Sequence, residues 1–432
     1  MNTAASTSIE AVLLSVIVQL IVIIAAARLI GSVFRYLGQP QVCGEIAAGL
    51  ILGPSLFGRF FPQTFAHVFN PSIGMEMNIL SQIGLVLLMF LIGLEFDFGH
   101  LRENGAKALS ISMAGIVVPF GLGLLAGGVI YSSLGLSVNR VGFCLFMATA
   151  LSITAIPTLG RIMIELNIHR TRLGCLAISA AALDDASGWI LLAIVSAIVR
   201  AKFDPWISVR MILETIGYGV FMLLAIRPLL RRWTQYVLRE GKGEISLNAL
   251  AMLFVLIFLS AAITNRIGIF SIFGGFLMGA ILYDQGEFRE AVFRRMRDFV
   301  TVFFLPIFFT YTGLRTDIGA MRGVRLWALC GLVLLSAFAG KFGGCAAAGL
   351  LSGISRREAA LVGILMNTRG LMELIVINVG YDLGIIPRTV FFMLVFMSVA
   401  TTYMTTPIVR RLSRQTELEP YIRGSVLARQ VE

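Results

Sequence analysis

The sequence predicts an all-α polytopic membrane protein of about thirteen transmembrane helices, and three observations carry that expectation. The 432 residues are 57% hydrophobic and 14% charged, where a soluble domain averages about 45–50% apolar and about 25% charged. A soluble fold of this composition could not present a wettable exterior. The apolar residues also gather in runs near the roughly 20 residues that a helix needs to cross a hydrocarbon core. Finally, the segments between runs are short, so no sizeable soluble domain interrupts them.

In order, the runs cover approximately residues 9–31, 40–56, 78–96, 106–134, 141–164, 173–199, 209–229, 245–264, 269–283, 299–314, 326–351, 359–381 and 389–409. Together they make one transmembrane domain over residues 1–410, followed by a short polar cytoplasmic tail, 411–432. The N-terminus has no basic region and no small-residue cleavage pattern, so the first run is expected to be a retained span. About 23 Lys and Arg, including Arg227, Arg231, Arg232, Arg239 and Lys242, flank the side that holds the C-terminus, and about 10, such as Arg59, Arg140 and Arg388, the other. The positive-inside rule then places the N-terminus outside and the C-terminus in the cytoplasm.

The same loops account for the net charge of +11. The basic residues form no stripe interleaved with aromatics, which excludes a nucleic-acid partner. Cys43, Cys144, Cys175, Cys330 and Cys345 lie in or beside apolar runs without CxxC spacing. That excludes a disulfide scaffold or a zinc site. Residues 121–126 match a dinucleotide fingerprint loosely, but inside an apolar span with no strand before it, where helix packing is the expected role.

The chain repeats itself. Residues 48–53 echo 274–279, 93–97 echo 313–317, and 166–171 echo 383–389, all at offsets of about 220 residues and in the same order. Each offset spans about seven helices, an odd number, so a second copy enters the membrane from the opposite face. This divides the chain into a first repeat (about 9–199), a linker helix (about 209–229) and a second repeat (about 245–409). Inverted repeats of this kind mark secondary transporters.

Five ionisable residues fall deep within predicted spans: Asp184 and Asp185, Lys341, Arg369 and Glu373. On insertion scales each such charge costs about 2.5–3.5 kcal/mol near the midplane, so it is paired or used. Adjacent helical residues point about 100° apart, so Asp184 and Asp185 cannot share one partner symmetrically. The reading adopted is that Asp184 pairs with Lys341, whose flanking glycines admit a close neighbour, and that Asp185 is the principal cation and proton carrier. A buried carboxylate holds either a proton or a dehydrated alkali ion, and competition for one site couples two fluxes. A pair serving only helix packing would explain one aspartate and not two.

The fifth and twelfth spans are each interrupted, one around Thr154 and Pro157, the other at Asn367, Thr368, Arg369 and Gly370. Proline removes a backbone donor, and the two interruptions occupy corresponding places in the repeats, as paired broken helices do. Arg369 and Glu373 could serve the freed helix ends or simply pair at i,i+4. Thr154 is expected to set its hydroxyl beside the carboxylates. Glu95, Asp97 and Asp317 are expected at span ends, and His67, His100 and His169 in loops.

These residues together resemble the monovalent cation/proton antiporter 2 family, in its Kef-like and plant cation/proton exchanger branches. The resemblance runs over roughly residues 39–409 and rests on 44–54, 92–95, Asp184-Asp185, Lys341 and 367–374. It implies a sodium/proton antiporter fold with two crossed discontinuous helices, a dimerisation domain and a mobile six-helix core that moves like an elevator. It also implies a homodimer in a bacterial inner membrane that exchanges Na⁺ or K⁺ for protons, electrogenically and without a cofactor. Asp185 matches the family's ion-binding carboxylate and Asp184 the partner of the lysine. Kef-like systems commonly carry a large C-terminal nucleotide-binding domain and Gln-Asp in place of Asp184-Asp185, departures that favour a plain exchanger. The Asn367-Thr-Arg-Gly370 segment, by contrast, looks like the K⁺-associated branches, which leaves K⁺ efflux or K⁺/H⁺ exchange as an alternative. A gated channel or sensor on the same scaffold is a further alternative. An intramembrane aspartyl protease is excluded, because its two aspartates must face each other from different helices.

Overall fold

The computed structural model describes residues 9–37, 39, 41–69, 74–95, 105–169, 171–200, 205–241, 243–414 and 416–423, and every structural statement below concerns these. Asp97, His100 and Lys242, named above, lie outside them, as do Pro40, Phe96 and the tail from residue 424. The chain forms helices α1 (Ile9–Tyr36), α2 (Gln41–Leu52), α3 (Phe57–Phe60), α4 (Pro62–Val68), α5 (Gly74–Glu95), α6 (Gly105–Leu134) and α7 (Arg140–Ser152). Then come α8 (Ile156–Glu165), α9 (Arg172–Arg200), α10 (Pro205–Phe221), α11 (Arg227–Glu240), α12 (Leu247–Ile267) and α13 (Ser271–Ala280). The last are α14 (Gly286–Phe299), α15 (Leu305–Leu314), α16 (Val324–Leu351), α17 (Arg356–Met366), α18 (Leu371–Asp382), α19 (Arg388–Leu412) and α20 (Glu419–Arg423).

Nine helical segments among the described residues are long and apolar enough to cross a membrane, and ten if the bent pair α17–α18 counts as one span. The sequence predicted thirteen. The difference has a physical cause: α2 has 12 residues and α13 has 10, which at 1.5 Å per residue is well short of a hydrocarbon core, and α7 and α8 are separate helices. Two spans run longer than predicted. α10 continues through a π-turn, Met222–Ile226, into the polar α11, and α14 continues through another, Val300–Phe304, into α15. Each π-turn ends two residues before a proline, Pro228 and Pro306. Proline clashes with the carbonyl four residues back, and the wider turn accommodates it without breaking the span. α11 is anchored by Arg227 and Arg231, which both donate to Asp284 in the α13–α14 turn, Arg227 at 2.9 Å. Burial alone would push the Asp284 carboxyl up. Hydrogen bonds from Gln285 and Arg227, with the charges of Arg227 and Arg231, hold it below the usual range instead.

The echoed segments occupy similar packings. α2 lies on α15 and α13 lies on α5, each through facing glycines. A Cβ on Gly313 would stand 2.6 Å from the Gly49 Cα, and one on Gly279 would stand 2.7 Å from the Leu94 amide nitrogen. Loss of side-chain volume lets these backbones touch, as in small-residue membrane interfaces. Residues 121–126, the loose dinucleotide match, lie inside α6 against α7, as helix packing requires.

The described part of the polar tail is docked on the bundle: Leu418 and Ile422 are buried in an apolar cluster with residues of α8, α9, α17 and α19. Glu417 accepts from the Leu173 amide at 2.9 Å at the start of α9, where four backbone donors need partners. Arg172 then joins Glu417 to Glu358 at the start of α17. Periodicity could not reveal this, since the contacts are between segments distant in sequence. His67 also departs from expectation, standing in the short helix α4 rather than a loop.

Replacing Gly313 by Ala is expected to destabilise the protein by about 1–3 kcal/mol, the usual cost of overpacking. A lowered Tm in detergent would register it, and an unchanged Tm would mean that α2 and α15 can part without cost.

Candidate functional site

The site is built on the two helix breaks. α7 ends at Ser152, the chain runs extended at Ile153 (φ −84°, ψ 142°) and at Ala155 (φ −101°, ψ 102°), and α8 begins at Ile156. Pro157 therefore does not make the break. It stands in the first turn of α8, where a missing N–H costs nothing and the fixed φ suits a helix start. In the second break α17 ends at Met366, residues 367–370 intervene, and α18 leaves at 44° to α17.

The breaks are tied to each other. Ala155 N donates to Thr368 O at 3.1 Å, and Thr154 Oγ1 donates to Met366 O at 2.7 Å. The Thr154 hydroxyl thus ties the crossing while standing beside Asp184, and the Thr154 amide reaches Asp184 as well. Thr158 stands so close to Gly370 that a side chain at residue 370 would run into its hydroxyl.

Arg369, 1% exposed, supports both ends. Its guanidinium donates to Ala150 O at 2.7 Å and Leu151 O at 2.6 Å, the orphan carbonyls that close α7, and to Glu373 Oε2 at 3.0 Å. A cation at a helix C-terminus also meets the negative end of its dipole. The i,i+4 pair expected from sequence is present, and so is the helix-end role. Thr402 on α19 holds the backbone of residue 369 from both sides, accepting from its N–H and donating to its C=O.

Lys341 and Asp184 meet as expected. The ammonium donates to Asp184 Oδ2 at 2.7 Å and to the carbonyl of Ser152, and both side chains are fully buried. The Thr154 amide donates to the same Oδ2, also at 2.7 Å. Gly115 of α6 makes room: a Cβ there would meet Cys345 Sγ at 2.5 Å and come within 3.9 Å of Asp184 Oδ1.

Asp185 is 1% exposed, and its Oδ1 has no hydrogen-bond partner among the described residues. The same holds for Asp184 Oδ1, Glu373 Oε1 and both amide atoms of Asn367. The three carboxylates here meet two basic side chains, Lys341 paired with Asp184 and Arg369 with Glu373, which leaves Asp185 without a basic partner in contact. Among the described residues no group of three or more His, Cys, Asp or Glu gathers as a multivalent metal site would need.

A cavity of about 560 Å³ reaches the breaks from one side. Thr158 of α8, Leu371 of α18, Leu305 and Phe309 of α15, and Glu95 with Arg297 are among its lining residues. Glu95 sits at the rim with a 51% exposed side chain, 4.0 Å from Arg297. Asp317 is likewise structural, capping the turn after α15 by accepting from Gly319 N at 2.8 Å.

Sequence reading missed the Ser152 carbonyl, Gly115, Thr402 and Glu417. Backbone acceptors carry no sequence signal, and Gly115 is one of 44 glycines.

Helices broken inside a bundle, crossing where buried ionisable side chains converge, define a secondary transporter fold. The chain belongs to the sodium/hydrogen exchanger transmembrane family, whose model matches residues 13–412. It is 40% identical over 404 residues to the Na⁺/H⁺ antiporter NhaS4 of Synechocystis, covering 93% of this chain and 97% of that protein. It is 37% identical to cation/H⁺ antiporter 18 of Arabidopsis thaliana and 31% identical to K⁺/H⁺ antiporter 1 of Saccharomyces cerevisiae. These matches cover 91% and 90% of this chain but only 48% and 45% of those proteins, so the chain spans about half their length. In fold it is similar to the sodium proton antiporter MjNhaP1 of Methanocaldococcus jannaschii, with a TM-score of 0.65 at 14% identity, covering 96% of this chain and all of that one.

Removing one partner of a buried ion pair typically costs about 3–5 kcal/mol, whereas replacing both by apolar groups is often neutral. Lys341→Met is therefore expected to lower Tm in detergent more than Lys341→Met combined with Asp184→Leu. Equal losses in the two variants would show that the charges are not coupled.

Proposed function

We propose that this chain is a secondary active monovalent cation/proton antiporter in which Asp185 binds the cation and the proton in turn. One observation carries the reading: of two adjacent buried carboxylates, Asp184 is neutralised by Lys341 while Asp185 Oδ1 is left without a partner. An unneutralised carboxylate in a low dielectric must take up a counter-charge, and a proton and an alkali ion compete for that role. Asn367, whose amide is buried at the crossing with neither polar atom bonded, and Asp184 Oδ1 are candidate additional cation ligands. Thr154, Thr368, Arg369 and Glu373 hold the breaks in register, and Pro157 starts the second half-helix.

The transported ion is Na⁺ or K⁺. The relative of similar length is named for sodium and the yeast relative for potassium, so potassium exchange or efflux is the second reading. Alternating access by an elevator-like movement of the broken helices and their neighbours fits the cavity that reaches Thr158 and Leu371 from one side. An electrogenic cycle moves more protons than cations and so needs a second titrating site. The Asp184–Lys341 pair is the group available for it.

α1 and α10 leave Leu13, Leu14, Ile21, Leu213 and Ile216 more than half exposed, suited to lipid or a second copy in a homodimer. The proposed placement is a bacterial inner membrane with the C-terminus, α11 and the cavity mouth cytoplasmic. The repeats are assigned to about 9–199 and 245–409, joined by a linker helix.

In proteoliposomes holding an imposed pH gradient and a pH-sensitive dye, addition of Na⁺, K⁺ or Li⁺ is expected to dissipate the gradient for at least one ion. Asp185→Asn is expected to abolish the response, while Glu95→Gln retains it. A cation leak without proton movement would replace the exchanger by a channel.

A further inference from the structure

α15 and α18 both lead from the cavity to a polar contact between them, and these two ends differ. At the first end Leu305 and Phe309 face the cavity together with Leu371. About 15 Å further along each helix there is a polar clasp. Arg315 donates to Asp382 Oδ1 at 2.8 Å and to Asn378 Oδ1 at 3.2 Å, and Asn378 Nδ2 donates to Thr312 Oγ1 at 2.9 Å. The Arg315 guanidinium lies 4.5 Å from the Tyr311 ring and 5.5 Å from the Tyr381 ring. The helices it joins belong to different packing groups: α15 packs on α1, α2 and α5, and α18 on α7, α9 and α19.

We propose that Arg315, Asp382, Asn378 and Thr312 form the latch that holds the second entrance to the site shut while the cavity side is open. The inference rests on the antiporter reading, because only a carrier with alternating access must open this side. The two groups of helices can part here only by breaking the clasp. Arg315 and Asp382 keep side-chain exposures of 16% and 26%, so the separated charges can be rehydrated, which a fully buried pair could not do at acceptable cost. Charge-assisted hydrogen bonds of this kind suit a reversible closure: strong enough to bias a population and weak enough to break. These are positioning residues. They set which side the carboxylates face and do not touch the ion.

The test uses single cysteines in a Cys175→Ser background, since Cys175 is the one exposed native thiol among the described residues. Thr316 is fully buried one turn beyond Thr312, and Thr316→Cys reports opening on the latch side. Ile92→Cys, in the cavity lining, reports that the fold is intact. A membrane-impermeant maleimide is applied to oriented vesicles from each side. Asp382→Asn is expected to raise the labelling rate at Cys-substituted 316 from the latch side about tenfold, the shift expected for losing one charge-assisted hydrogen bond. The exchanged pair Arg315→Asp with Asp382→Arg is expected to return it toward the parent rate. An unchanged rate in Asp382→Asn, with Ile92→Cys still labelled from the cavity side, would overturn the latch. Labelling does not depend on transport, so failure of the antiporter reading shows separately, as absence of cation-driven proton movement in the parent protein.

Discussion

Lys341 donates hydrogen bonds from its ammonium to a carboxylate of α9 and to the last carbonyl of α7, and the crossing is arranged around the cost of holding that charge away from water. An ammonium in hydrocarbon is tolerated only with both charge and hydrogen bonds satisfied. Asp184 supplies the charge, and the interruption of α7 at Ser152 supplies the free carbonyl. The Thr154 amide, freed by the same interruption, closes the triangle on Asp184. The ion pair and the helix break therefore require each other. An unbroken α7 would leave Lys341 short of an acceptor, and without Lys341 the Ser152 carbonyl would be a buried orphan.

The second break completes the arrangement by symmetry of role rather than of residues. Arg369 does for the carbonyls of Ala150 and Leu151 what Lys341 does one residue on, and Glu373 offsets it. What remains is Asp185, placed by the helix next to a satisfied aspartate yet about 100° around the axis, outside the reach of that triangle. The inequality between two neighbouring aspartates follows from geometry, and it leaves Asp185 Oδ1 without a hydrogen-bond partner.

Much of this was legible in the sequence because charges inside apolar runs are costly and therefore informative. Asp184, Asp185, Lys341, Arg369 and Glu373 stood out for that reason, and the lysine–aspartate pairing followed from the glycines beside Lys341. Residue types said less about roles filled by the backbone. Pro157 suggested the place of the break but sits just beyond it, because proline is as compatible with a helix start as it is hostile to a helix middle. Thr154 was expected to contribute its hydroxyl and contributes its amide as well. Among the described residues a count by length alone gives fewer spans than the thirteen apolar runs, because broken helices and helices as short as α2 and α13 fall below the length of a straight span. The docked tail was invisible, since Glu417 looks like any charged residue near a terminus until α9 is placed beside it.

Whether one carboxylate serves proton and cation in turn is tested most directly by the pH dependence of the apparent KM for the transported cation in proteoliposomes. Competition at one site requires KM to rise as pH falls, approaching tenfold per pH unit on the acid side, with the maximal rate at saturating cation little changed. A KM that stays constant across the pH range in which transport is proton-dependent would contradict it, placing the two ions on separate groups.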